Sequence, residues 1–445
     1  MALMDTTSRV HLLTVPDLVI QSSWKGSAIV SVPLNIFIDD LSADQSRRWS
    51  PLHAVQMQIA GLSLEEKRKS ANTHFISASD KVGILDQMVP ICSAVHMFDA
   101  SMMRPVLVIS HISSIIADYQ MMSYVCNHSG PSAKKFCPKC MADKTDPIKK
   151  WEMRTPQSTR RLIERMGLMQ HPKQMQTDTG IKAYKNTLWD YLNPHRDTPI
   201  GLLHFMYLGL AKHLIQYCYE NLTSEKKQML ALHLESIDQS QFEYKVTAQS
   251  MFKYRDSRQG KDFKLYLQLA SFNFGYVRAE QKHIQALTKL ALVSRHMQNM
   301  TGNISEEVTA YLNFIKENIP ALARKSKAHL GVHLEDDIEF HGHPLHYIED
   351  QFEKNHRTIR TGIQHQNGHA KSRDTASQFA KYEVISHLAT GGYMKHGILL
   401  EKTSSLKEKV YLFRNSWDSQ LRLMKTSVKG THYGPWLGSK TENQS

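Results

Sequence analysis

The sequence predicts a mixed α/β fold: a sheet flanked by helices, interrupted by a large all-α insertion. Three observations predict it. Strand-like runs crowd into the first third, strand signals nearly vanish from about residue 141 to about residue 318, and helical spacing of apolar residues takes over in that middle. Alternating elements build a sheet covered by helices, whereas a run of helices without strands builds its own layer or domain.

The elements follow in order. "AIVSVPLNIFID" (28–39) is rich in β-branched and apolar residues and ends in acids. "HAVQMQIAGL" (53–62) alternates in part, and "THFISAS" (73–79) is short and alternating. Both patterns read as strands. "DKVGILDQMVPICSAVHMF" has apolar residues at three and four spacing and reads as a helix despite Pro90. "RPVLVISHISSIIAD" (104–118) is a further strand that closes on an acid. The middle offers "STRRLIERMGLM", "GLLHFMYLGLAKHLIQYCYENL", "EKKQMLALHLESI" and "EQKHIQALTKLALVSRHMQNM", all with helical periodicity. A His- and acid-rich stretch and a last helix, "RDTASQFAKYEVISHLAT", come after it. The expected organisation is a short amino-terminal segment (1–27), a first core part (28–140), a helical insertion (141–318), a second core part (319–400) and a tail (401–445).

Hydrophobic residues make up 41% and charged residues 22%, within the range of soluble globular proteins. No apolar run is long enough to span a bilayer, and the first residues lack the basic flank and apolar stretch of a secretory signal. Five cysteines are too few for a disulfide framework in a 445-residue chain, so free or metal-bound thiols in a reducing compartment are expected. The formal charge of +13 favours a polyanionic partner, because each phosphate neutralised releases counterions. A basic protein with no such partner is the competing reading.

Asp39 closes one strand-like run and Asp118 another, with Asp40 beside the first. Acids at the carboxyl ends of buried strands stand where ligands commonly bind in open sheets, and hard carboxylate oxygens suit Mg²⁺ or Mn²⁺. Strands also end at polar residues for no functional reason, and spacing alone does not decide between the two. "KKFCPKC" places Cys137 and Cys140 in the spacing of a zinc knuckle, and "HLGVH" places His329 and His333 four apart, on one face if helical. Two Cys and two His would make a closed structural zinc site. Cys126 and His128, just upstream, are rival ligands.

These residues also carry a family resemblance. "LNIFIDDLSADQSRRWSPLHAVQMQIAGL", "THFISAS", "ADYQMMSYVCNHSGPSAKKFCPKC", "LLHFMYLGLAKHLIQ", "GKDFKLYLQ", "AHLGVHLEDDIEFHG", "QFEKNHRTIRTGIQHQNGHAKSRD" and "HLATGGYM" stand in the order of similar segments in fungal transposase-like proteins related to CACTA (En/Spm) DNA transposons. The resemblance runs from about Asn35 to Met394.

It implies an RNase H-like core interrupted by the helical insertion, and a DDE triad that cuts and rejoins DNA with two Mg²⁺ or Mn²⁺ ions. It assigns Asp39 as the first acid, Asp118 as the second and Glu353 as the third, with Glu349 and Asp350 close enough in sequence to serve instead of Glu353. It matches Cys137, Cys140, His329 and His333 to a Cys₂His₂ set that holds one structural Zn²⁺. Transposon ends and target DNA are the implied partners, the nucleus the site of action, and a homo-oligomer the active form, with no membrane. Arg357, Lys371 and Arg373 near the third acid, and Arg47 and Arg48 after the first, are candidates for phosphate contact or for a solvated face. Few residues precede the first acid, as in a truncated or host-adopted copy that binds DNA or chromatin without cutting it. His204, on an apolar stretch, reads as a core histidine, and Asp262 as a cap or turn residue.

Overall fold

A computed structural model describes residues 2–4, 10–12, 28–42, 51–88, 91, 94–99, 104–184, 186–254, 258–366, 369–389, 393–396 and 399–402. The chain divides into two units, Met1–Ser113 with Gln351–Ser445, and Ser114–Asp350.

In the first unit, strands β1 (Ala2–Met4) and β2 (Val10–Leu12) pair antiparallel. The main sheet holds β3 (Ala28–Ser42), β4 (Pro51–Ile59), β5 (His74–Ser79), β6 (Ala94–Asp99) and β7 (Arg104–Ala117), in the order β5-β4-β3-β7-β6. β3 is central, and Ile36, Phe37 and Ile38 in succession are fully buried. Burial on both faces explains why this strand reads as a continuous apolar run and not as an alternation. The β3–β4 ladder is antiparallel and sets Asp39 opposite Ala54 and Asp40 opposite His53.

Two helices complete the unit's described core. Asp350–Gln364 stacks Phe352 on Phe37, ring centroids 5.0 Å apart, and Lys371–Ala389 stacks Phe379 on Phe75 of β5 at 4.4 Å. Leu41, Leu52, Ala54, Ala78, Ile359, Ile363 and Phe379 form one apolar cluster. β8 (Tyr393–His396) and β9 (Leu399–Lys402) form a further antiparallel pair.

One expectation changes. Among the described residues, Ile84–Met88 of "DKVGILDQMVPICSAVHMF" form an α-helix, but the strand β6, Ala94–Asp99, takes its second half and pairs antiparallel with β7. Proline at 90 disfavours the helical conformation for the residue before it. The valine and phenylalanine beyond it then suit a strand with a ready partner.

The second unit is helical. Pro156–Gly167, Ser224–Ser236, Gly260–Tyr276, Gln281–Asn299 and Ile304–Asn318 are α-helices. A wide π-type turn, Leu203–Ala211, runs into Lys212–Glu220. Tyr266, Phe274, Leu287, Leu290, Met297 and Tyr311 are all buried within it. Asp262 caps as expected: it accepts the Gln259 N–H at 3.0 Å. Beyond the end of β7, the described residues of this unit carry isolated bridges but no strand.

The unit is wider than the 141–318 insertion expected from pattern, because it takes in 114–140 and 319–350. Those two flanks are joined by the cysteine–histidine cluster described below. No helix among the described residues is long and apolar enough to cross a membrane.

Within the second unit, the buried Glu349 carboxylate accepts the Leu203 N–H at 2.8 Å and lies 3.3 Å from Nδ1 of His204. It fills the space beside Gly201, where an added Cβ would fall 1.6 Å from Oε1. Gly201→Ala is therefore expected to displace this buried carboxylate and to cost about 1–3 kcal/mol, the usual range for overpacking. Urea unfolding checks it; a midpoint equal to the parent's would show that Glu349 moves freely.

Candidate metal centres

The first centre lies wholly in the second unit. Cys137 and Cys140 sit in a loop, while His329 lies in the last turn of the short helix Ser326–Leu330 and His333 ends the tight turn Gly331–His333 that follows it. All four residues are fully buried, and their ligating atoms lie within 4.8 Å of one another. Cys140 Sγ is 3.2 Å from His329 Nε2, Cys137 Sγ is 3.5 Å from His333 Nε2, and the two Nε2 atoms are 3.2 Å apart. A tetrahedral ion with Zn–N near 2.05 Å and Zn–S near 2.3 Å sets N···N at about 3.3 Å and S···N at about 3.6 Å. The observed spacings match that geometry to a few tenths of an ångström.

The surroundings orient the ligands. His329 Nδ1 lies 2.7 Å from the Pro147 carbonyl, so Nδ1 carries the proton and Nε2 presents its lone pair. The Lys139 N–H donates to Cys137 Sγ at 3.3 Å. The buried Arg154 donates from Nε to the carbonyls of both Cys137 and Cys140 at 3.0 Å, and from Nη2 to Thr179 O at 2.8 Å. Burial alone would raise the Cys137 thiol, but hydrogen bonds from Cys140, His329 and His333 outweigh it and hold the group well below its ordinary range. Its hydrogen bond to Cys137, with burial, pushes Cys140 up. A dication would take the place of the proton the pair retains. The cluster could thus hold a metal such as zinc.

The rival ligands are otherwise engaged. Cys126 Sγ donates to Pro194 O at 3.3 Å, and burial pushes its thiol up to about 12. His128 meets the Lys135 carbonyl at 2.8 Å through Nε2, accepts the Gly130 N–H at 3.0 Å through Nδ1, and is held down to about 4 by burial.

The second centre lies wholly in the first unit. Asp39 on β3 meets Glu353 and His356 of the helix Asp350–Gln364, with one ligand atom of each within 4.8 Å of the others. His356 Nδ1 is 3.4 Å from Asp39 Oδ2 and 3.5 Å from Glu353 Oε2. Glu353 and His356 are three apart, so one helix face presents both. Gln56 of β4 locks that helix to the sheet: its Nε2 donates to Phe352 O at 3.3 Å, and its Oε1 accepts from Asn355 at 2.8 Å. Asp40 is distinguished from Asp39 by direction, since it pairs with His53 across the strands.

Asp118 belongs to the second unit, where it caps the helix Tyr119–Val125 by accepting the Met121 N–H at 2.8 Å. Glu349, an alternative third acid, is held by Leu203 and His204 as described. Asp350, the other alternative, begins the helix that carries Glu353. Arg357 and Arg373 are exposed, the latter 3.2 Å from Asp374, and Lys371 is half-buried. Arg47 and Arg48 lie outside the described residues. Pattern reasoning did not single out His356, although the Glu-x₂-His spacing in "QFEKNH" was the available signal. It also passed over the buried Arg154 that braces the knuckle.

No known protein-family model matches the chain, and no curated protein matches it.

Proposed function

We propose that the chain is a DDE-type DNA transposase, or a descendant of one, that cuts and joins phosphodiesters with divalent ions bound at Asp39 and Glu353. The observation that carries the reading is the meeting of Asp39 with Glu353, two acids 314 positions apart in sequence that the resemblance had paired. The ordered motif set supports it, as does a five-strand sheet that carries the first acid on its central strand, β3, at the end of the antiparallel run β5-β4-β3. Such a sheet is compatible with an RNase H-like core. The zinc cluster formed by the four expected ligands supports it too.

In this reading the metal ions supply charge stabilisation at the attacking and leaving oxygens. Asp39 and Glu353 hold and orient them, and Asp118, the second acid of the resemblance, is the remaining one to test. The exposed Arg357 and Arg373, with Lys371, supply phosphate contacts. Action in the nucleus and assembly of several copies on DNA ends belong to the same proposal. The alternative is a catalytically inactive, host-adopted descendant that binds DNA or chromatin through its basic surface. It draws on Asp118, whose carboxylate is already engaged as a helix cap.

The test is Mg²⁺- or Mn²⁺-dependent cleavage of DNA carrying the sequences that flank the gene. Asp39→Asn and Glu353→Gln are each expected to slow cleavage at least about 100-fold, the scale of losing one preorganised charge-stabilising group. Variants that cut as fast as the parent would remove these acids from the chemistry. A parent that binds DNA in a salt-dependent way and never cuts it would favour the inactive descendant.

A further inference from the structure

The geometry points to His356 as a direct metal ligand, which makes Asp39, Glu353 and His356 a site that selects Mn²⁺ over Mg²⁺. The two carboxylates alone would not carry this. The independent observation is the imidazole: His356 is fully buried, neither ring nitrogen has a hydrogen-bond partner, and Nδ1 is aimed between the carboxylates at 3.4 and 3.5 Å. The ring is held there by Phe37, whose centroid is 5.1 Å away, and by the stacking of Phe37 on Phe352.

A buried nitrogen without a partner is costly, and charge decides what the partner is. The two ionised carboxylates carry a formal charge of −2, and a neutral imidazole would turn its Nδ1 lone pair toward both. An imidazolium would leave the cluster at −1. A divalent cation neutralises it and uses the lone pair. Neighbouring ligand atoms around an octahedral ion with bonds near 2.1 Å lie about 3 Å apart, so each imidazole–carboxylate distance, 3.4 and 3.5 Å, is within about half an ångström of that spacing. Carboxylates suit Mg²⁺ and Mn²⁺ alike, but an imidazole nitrogen favours a transition metal over Mg²⁺, and Mn²⁺ is the transition metal that shares the preference for carboxylate oxygens.

The inference deepens the proposed function by naming the ion. It rests on that reading only in placing a metal at Asp39 and Glu353. Binding is measured without DNA, so failure to bind and failure to cut are separate results. The full chain is purified with its zinc and titrated with Mn²⁺, and free Mn²⁺ is followed by electron paramagnetic resonance. One Mn²⁺ per chain is expected. Mg²⁺ should displace it only at about tenfold or higher excess, since the nitrogen ligand favours the transition metal. Spin-echo modulation of the bound Mn²⁺ should show a directly coordinated nitrogen. Asp39→Asn, at a partly exposed side chain, should abolish both the binding and the nitrogen signal. His356→Gln should weaken binding at least about tenfold, the lower end of what even an outer-shell partner contributes.

No Mn²⁺ retained would overturn the inference. So would bound Mn²⁺ without nitrogen coupling, equal competition by Mg²⁺, or a nitrogen signal that survives Asp39→Asn. If His356→Gln fails to fold, the nitrogen coupling in the parent decides alone.

Discussion

Cys137→Ser is expected to strip the protein of its zinc and to unfold the unit Ser114–Asp350 at temperatures where the parent is folded. The cluster ties the loop of Cys137 and Cys140 to the turn of His329 and His333, up to 196 positions away in sequence. The ligands come together only in the folded state, so binding free energy is folding free energy. For structural zinc that is about 10 kcal/mol or more, near or above the whole stability of a typical domain. Serine keeps the volume but gives up the thiolate, and the remaining three ligands leave an open, weaker site. Metal analysis of the parent should find one zinc per chain, by the four-ligand rule. Chelation of the parent should reproduce the variant's loss of helical signal. Cys126→Ser is the control: that thiol bonds to the Pro194 carbonyl and is not a ligand, so the variant should keep its zinc. A parent without zinc, or a Cys137→Ser protein that melts with it, would end the structural-metal reading.

Much of this arrangement was legible in the sequence, and the parts that were not have physical reasons. β3 and β7 announced themselves by long apolar runs, because strands buried on both faces need no polar alternation. Helical spacing was legible over Pro156–Gly167, Lys212–Glu220 and Gln281–Asn299, whereas Ser224–Ser236 carries no one-sided apolar stripe and the wider winding of Leu203–Ala211 left no mark of its own in the pattern. β6 stayed hidden, since a short apolar run that follows a helical turn has no periodicity of its own. The strand forms because β7 offers its edge, which is a tertiary fact. The Cys₂His₂ set was readable because a tetrahedral metal site of this kind calls for particular residue types at short spacings within each pair. The resemblance had already matched His329 and His333 rather than His128, and the fold gives the physical reason, since it spends both ring nitrogens of His128 on backbone groups. Asp39 and Asp40 were equivalent in pattern. The β3–β4 register separates them by giving Asp40 to His53 and leaving Asp39 toward Glu353 and His356.

Lys139→Met is expected to destabilise the second unit by about 3–5 kcal/mol while leaving zinc in place, because it strands a buried carboxylate. Lys139 lies between the two cysteines, and its Nζ is 2.7 Å from Asp337 Oδ1, with both side chains almost wholly buried. The other oxygen of Asp337 accepts the Ile200 N–H at 2.9 Å. Methionine matches the lysine stem and keeps the backbone N–H that donates to Cys137 Sγ, so the knuckle itself is not disturbed. What is lost is the counter-charge. The double variant Lys139→Met with Asp337→Asn removes both charges and leaves an amide oxygen for the Ile200 N–H. It should therefore recover more than half of the single variant's loss, since neutralising a buried pair is far cheaper than breaking it. Chemical unfolding of the three zinc-loaded proteins measures both effects. A single variant within about 1 kcal/mol of the parent would mean that the pair behaves like an exposed one. Asp337 sits on the helix Leu334–His341, directly after His333, so the ion pair and the Cys₂His₂ cluster join the same two segments. If the zinc-loaded single variant still loses several kcal/mol, the ion pair is a second clamp there, acting independently of the metal.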